Sequence, residues 1–175
     1  MADREALRQL HARLAARLQA ARSEGATTAR WLAVEAGGGR FLVPLVHAGE
    51  IFPWPGVLPV PYTRPWLLGV ANLRGTLAAV VDFSALLGRA AARSEMALAD
   101  ASLLAFHPLL EMHAALLVDR LLGLRGAQDF SGMQDAPPDA PAWRGARYID
   151  QAGDAWQEID LRLLSQDFEF LHIRA

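Results

Sequence analysis

From residue 30 onward this chain sustains no helical spacing of apolar residues, and short apolar runs alternate instead with glycines and prolines. That change of pattern constrains the fold most, because it calls for β-strands joined by tight turns and excludes a helical bundle. Trp31 to Ala36 and Arg40 to Val46 flank Gly37-Gly38-Gly39, a hairpin signal. A phosphate cradle would need a helix straight after those glycines, and Phe41-Leu42-Val43 continues as a strand. Gly69 to Arg74 and Thr76 to Phe83 form a second hairpin about Gly75, and Ala101 to His107 adds a strand. Glu111 to Leu121 and Leu124 to Phe130 read as a pair divided at Gly123, and Ala146 to Ile149 with Ala155 to Ile159 as a last hairpin turning at Gly153-Asp154.

Several runs are apolar at successive positions: Leu77 to Val81, Leu103 to Phe106, Ala114 to Val118. Strands covered on both faces have that composition, as in small barrels or sheets packed together. Half of the ten prolines fall in residues 53–65, which bars a helix interior or a central strand there. The interleaved Trp54, Val57, Leu58, Val60, Tyr62 and Trp66 predict an ordered loop lying on the body. Residues 83–88 read as one or two helical turns stopped by Gly88, followed by an exposed Ala/Arg connection to about Asp100. A Pro-rich bend at 135–141 precedes the last hairpin, and 161–173 is apolar without a decisive period.

The N-terminus differs. Leu7, Leu10, Leu14 and Leu18 recur at helical spacing, which predicts a helix over 3–22 with Asp3 as N-cap and a stop at Gly25 to Thr28. Its leucine stripe suits packing on its own domain, or on a partner. Residues 1–28 are therefore read as an amphipathic extension and 29–175 as one domain.

Composition narrows the chemistry. The absence of cysteine excludes disulfides, thiolate metal sites, iron–sulfur clusters and a cysteine nucleophile. All 17 basic residues are arginine, six of them within residues 1–30, so the remaining residues carry a net charge of −5. An acidic body argues against nucleic acid as a partner. No apolar stretch reaches the roughly 18 residues of a membrane span, and the charged first residues lack a secretory apolar core. The expectation is a cytoplasmic protein without membrane insertion. Neither a Walker loop, a Gly-x-Ser-x-Gly elbow, a His-Glu-x-x-His helix nor a dinucleotide fingerprint occurs, so no catalytic residue and no cofactor is assigned. The alternative is a small β-barrel metal-dependent hydrolase using His107, Glu111 and His113, whose odd numbering places them on one face of an unbroken strand, although Pro108 interrupts it.

The most specific segment is Gly69-Val70-Ala71-Asn72-Leu73-Arg74-Gly75, continuing through Leu77, Val80 and Val81 to Asp82. It is similar to the signature of the CheW-like chemotaxis coupling proteins. Other stretches follow in that family's order: Ala48-Gly49-Glu50-Ile51 resembles its Val-x-Glu-Ile, Pro59-Val60-Pro61 its Pro-Val-Pro, Leu117-Val118-Asp119-Arg120-Leu121 its Val-Asp-Arg-Val, and Ile159-Asp160-Leu161 its Leu-Asp-Leu. The resemblance covers about residues 30–165, and the helical N-terminus together with the wording Gly-Val-Ala-Asn-Leu-Arg-Gly at 69–75 is most like the PilI-type, type IV pilus branch that serves twitching motility. Ala48 and Ala71 replace the family's usual Val and Ile, and 132–147 aligns with nothing in it.

The resemblance implies a mainly β fold of two five-stranded SH3-like subdomains, intertwined and packed along a hydrophobic seam. It also implies a non-enzymatic adaptor that bridges the cytoplasmic hairpin tip of a methyl-accepting chemoreceptor to the regulatory domain of a CheA-type histidine kinase, recruited to membrane receptor arrays. The candidate protein-binding residues are Glu50, Ile51, Phe52, Trp54, Asn72, Arg74, Asp119 and Arg120, with Gly69 and Gly75 as structural turn positions. Asn72 is suited to shape its turn. Arg74 either locks the hairpin or faces a partner. Trp54 is either a contact residue or core. Asp82 and Asp119 follow apolar strands, where a carboxylate needs backbone amides or an arginine.

Overall fold

The computed structural model describes residues 2–23, 29–89 and 93–175. Helix α1 (Ala2–Ser23) starts before Asp3, so that residue lies inside the helix and not at its cap, and the proposed stop at 25–28 lies outside the described residues. The strands are β1 (Ala29–Ala36), β2 (Gly39–Pro44), β3 (Ala48–Pro53), β4 (Leu67–Leu73), β5 (Thr76–Asp82), β6 (Ser102–Phe106), β7 (Ala114–Val118), β8 (Arg120–Gly126), β9 (Phe130–Gln134), β10 (Arg144–Asp150) and β11 (Ala155–Ile159). Short helices α2 (Phe83–Leu86) and α3 (Glu95–Asp100) join β5 to β6, and α4 (Leu161–Leu164) and α5 (Phe168–Leu171) follow β11. The connection before β6 thus contains a helix, started by Ser94, whose hydroxyl accepts from the Ala97 N–H at 3.1 Å.

The strands form two sheets, ordered β8-β1-β2-β11-β10-β9 and β3-β6-β7-β5-β4. The middle of the chain builds the five-stranded sheet, and its two ends come together to build the other. The two sheets, the subdomains that the resemblance implied, are thus contributed by interleaved segments of the chain. One subdomain has six strands and not five, because β9 adds itself to β10 at the edge. Neither sheet closes its ladder into a complete barrel.

Both predicted tight hairpins form, β1–β2 about Gly37-Gly38 and β4–β5 about Arg74-Gly75. The division expected at Gly123 does not. Strand β8 runs through that residue, and Ala33 pairs with Gly123 while Val34 pairs with Leu121, leaving an extra residue in β8. Gly123, at φ +94°, supplies the kink of a β-bulge instead of a turn. The chain actually breaks direction at Asp119, where it leaves the five-stranded sheet for the six-stranded one.

The apolar side chains separate into three clusters, which explains the doubly apolar strands. One lies between the sheets, with Leu32, Val34, Phe41 and Val43 from the first and Ile51, Leu104, Phe106 and Leu116 from the second. A second cluster lies on the other face of the five-stranded sheet and includes Leu103, Leu117 and Val80, with Trp54, Val57 and Leu98 against it. The third gathers Trp31, Leu42 and Trp156 with Phe130 and Tyr148 on the six-stranded sheet. Within β7, Ala114, Leu116 and Val118 face the shared cluster while Ala115 and Leu117 face the second.

Helix α1 packs on β3 of its own domain. Leu14 and Leu18 are buried, Leu18 within the shared cluster, and His11 Nε2 meets Ser102 Oγ at 2.9 Å, whereas Leu10 stays exposed. Burial holds the His11 pKa below its ordinary value. It does the same to His47, where it outweighs the attraction of Asp160, whose Oδ1 lies 3.6 Å from Nδ1. Both imidazoles are therefore kept neutral by folding, so their contribution is complete above the unfolded value of about 6.5 and is lost as pH falls below it. Urea titrations at pH 7.5 and 5.5 are expected to show lower stability at the acidic pH. In a His11→Gln/His47→Gln variant that difference shrinks, and an unchanged difference would assign it to other groups.

Candidate functional site

The β4–β5 turn builds the most distinctive surface feature. A type I′ two-residue hairpin turn needs positive φ at both central positions, here Arg74 at +50° and Gly75 at +87°. Asn72 compensates for the non-glycine residue by accepting the Gly75 N–H on Oδ1 at 2.7 Å, which closes the turn from within. The Arg74 side chain does not lock its own hairpin. It is 75% exposed and reaches β3, where Nη1 pairs with Glu50 Oε1 at 2.5 Å and the guanidinium carbon lies 5.9 Å from the Phe52 ring centre.

Strands β3 and β4 are the two ends of the five-stranded order, so this contact shows the sheet rolled until its far ends meet. Along β3, alternation turns Glu50 and Phe52 to one side and Ile51 to the other, where it is 7% exposed in the shared core. Glu50, Phe52 and Arg74 line an open groove of about 360 Å³ together with Pro108, Met112 and His113. Trp54 is half-buried against the second cluster. Of the candidate residues, then, Glu50, Phe52, Asn72 and Arg74 come together, with Trp54 on the same apolar cluster as Phe52. Ile51 sits in the core, and Asp119 and Arg120 stand at the crossing between the sheets.

Asp119 is engaged there. Its Oδ2 accepts the Gly37 N–H at 2.7 Å, tying down the β1–β2 turn, and its Oδ1 accepts from Arg93 Nη2 at 2.6 Å and Nε at 3.0 Å. Arg93 also meets Asp82 Oδ2 at 2.6 Å and donates to Ser84 Oγ at 2.8 Å. Asp82 in turn caps α2 by accepting the Ala85 N–H. One 12% exposed guanidinium thus joins three segments and supplies the cation that the buried Asp82 and the half-buried Asp119 required. The sequence reading missed Arg93 because it stands in an Ala/Arg stretch that reads as solvated. The available signal was indirect: two aspartates ending apolar strands demand a cation. Arg120, by contrast, is exposed on β8 opposite Glu35.

The metal alternative is not supported. Pro108–Leu110 forms a 3-10 turn that ends the strand, so His107, Glu111 and His113 do not share a face. His107 Nδ1 accepts the Leu109 N–H at 3.2 Å, and Glu111 takes a left-handed backbone at φ +53°. Among the described residues no three His, Cys, Asp or Glu side chains are placed to hold an ion. None of the described helices is long and apolar enough to cross a membrane.

Gly69 holds the Pro-rich loop against the site's hairpin. Leu58 exchanges backbone hydrogen bonds with Val70 at 2.8 and 2.9 Å, and a Cβ on Gly69 would stand 2.2 Å from the Leu58 carbonyl oxygen. The loop lies on the body through Trp54 and Val57, while Leu58, Val60 and Tyr62 face outward. Gly69→Ala is expected to push the loop away and lower stability by about 1–3 kcal/mol, the usual range for overpacking, in denaturant titration. A change within about 0.5 kcal/mol would mean that the loop is not held by this contact.

Residues 30–166 match the family model described as the CheW-like domain. Chemotaxis protein CheW of Rhizobium meliloti is 41% identical over 61 residues, 35% of this chain and 39% of that protein. Protein PilI of Pseudomonas aeruginosa is 31% identical over 102 residues, 58% of this chain and 55% of that protein. The match therefore spans about half or less of these curated relatives. The crystal structure of scaffolding protein TtCheW from Thermoanaerobacter tengcongensis superposes with a TM-score of 0.62 at 15% identity, covering 75% of this chain and 88% of that one, a likeness of fold.

Proposed function

Because this chain belongs to the CheW-like domain family, we propose that it is a non-enzymatic adaptor coupling chemoreceptors to a CheA-type histidine kinase. The similarity to PilI favours the chemosensory pathway that controls type IV pilus twitching motility as its setting. The observation that carries the reading is the convergence of Arg74, Glu50 and Phe52 on a turn braced by Asn72. Binding surfaces work through a few large anchors, and aromatic rings and arginines are foremost among them. Here a braced hairpin presents both with little conformational freedom left to lose on docking.

In this reading the regulatory domain of the kinase and the hairpin tip of the receptor are the partners, and Glu50, Phe52, Trp54, Asn72 and Arg74 form the surface that one of them meets. Arg74 supplies donors in a fixed fork, and Glu50 orients that fork while leaving it accessible. Asp119 and Arg120 stand apart from that surface at the sheet crossing, where Asp119 braces the β1–β2 turn and Arg120 offers an exposed charge. The protein's work is to hold two others at a set distance, with no bond made or broken by its side chains.

Reconstitution tests this. Kinase autophosphorylation in the presence of a receptor signalling fragment is expected to become receptor-dependent only when the chain is added. Receptor control that is complete without it, or indifferent to it at tens of micromolar, would refute the adaptor role.

A further inference from the structure

Four of the seventeen arginines line one cleft, away from the groove beside Arg74. Arg40 on β2, Arg89 after α2, and Arg144 and Arg147 on β10 face an open space of about 740 Å³, where the carboxylates are Glu35 and Asp154. Arg40 is already paired with Asp154. The cleft thus keeps an excess of guanidinium in a body whose residues beyond 30 are net acidic.

The fold builds this cleft. Strands β2 and β11 run parallel but pair only at Phe41 with Gln157 and Leu42 with Glu158, so the ladder stops short of Gly39 and Ala155, which both line the opening. Arg89 lies across the bare backbone there: a Cβ on Gly39 would stand 2.5 Å from its Nη1, and its guanidinium carbon is 6.0 Å from the Phe41 ring centre. Arg144 lies over Trp143 at 5.2 Å, and its Nε is buried without a hydrogen-bond acceptor among the described residues.

We propose that this cleft binds an acidic segment of a partner protein, one carrying both carboxylates and an apolar side chain. The charge excess selects the carboxylates, and the half-buried Leu87 within the same walls selects the apolar group. A small inorganic anion would satisfy one guanidinium fork and gain nothing from Leu87. The site shares no lining residue with the Arg74 groove and does not depend on the kinase-coupling reading.

The test uses the full chain and a fluorescent peptide of alternating Glu and Leu, followed by anisotropy, with inorganic phosphate as competitor. The expected result is saturable binding that weakens as salt rises. Arg89→Glu and Arg147→Glu, both at exposed positions, each reduce affinity at least tenfold, whereas Arg13→Glu on α1, the same charge change elsewhere, leaves it within twofold. No saturable binding up to millimolar peptide would overturn the proposal. So would an equal loss with Arg13→Glu, or displacement of the peptide by an equal concentration of phosphate.

Discussion

Arg93→Ala is expected to lower the unfolding free energy by about 3–5 kcal/mol, the largest single effect outside the apolar core. Breaking a buried ion pair by removing one partner strands the other charge, and that penalty far exceeds what an exposed pair is worth. Here the removal strands two carboxylates, since Asp82 and Asp119 share the one guanidinium, and Asp82 is as buried as Arg93. The loss propagates through geometry as well. Asp119 fixes the Gly37 turn and Asp82 caps α2, so the β1–β2 hairpin and the β5–α2 junction loosen together. For a domain of this size each kcal/mol corresponds to about 2–4 °C in Tm, so calorimetry should show a fall of the order of 10 °C. A fall below about 2 °C would mean that Arg93 is solvated and that the aspartates find other partners.

Much of this architecture was written in local chemistry. The Gly75 hairpin, the brace from Asn72 and the doubly covered β7 all follow from rules acting over a few residues, and the structure reproduces them. Even the untyped C-terminus carried a local signal. Asp160 and Asp167 cap α4 and α5 by accepting amide protons three residues on, from Leu163 and Phe170. What the residues did not disclose is non-local. The parallel pairing of Phe41 with Gln157 and the sixth strand β9 depend on which distant segments meet. Gly123 misled because a glycine inside a strand pattern suits a turn and a bulge equally well, and only the register against β1 decides. The candidate surface was half legible for the same reason: alternation along β3 could be read, but not that the sheet rolls Arg74 onto Glu50 and Phe52 while sending Ile51 inward.

Arg74→Glu is expected to separate binding from folding. The Arg74–Glu50 pair is exposed on both sides, and such pairs contribute about 0–1 kcal/mol, so Tm should move by no more than about 4 °C. The change sets a second carboxylate against Glu50 and removes the cation from the Phe52 ring. Loss of a central anchor typically costs 2 kcal/mol or more, which corresponds to about 30-fold in affinity. Titration against the kinase regulatory domain and against the receptor tip should show a loss of that size for at least one of them. Unchanged affinity for both would leave Arg74 as a turn residue without a part in docking.

Isothermal titration of the full chain with the regulatory domain of the CheA-type kinase measures directly whether this protein binds the kinase. A saturable 1:1 isotherm with a dissociation constant of tens of micromolar or tighter, about −6 kcal/mol or stronger, is the predicted result. No detectable interaction at those concentrations, with both proteins shown to be folded, would contradict it.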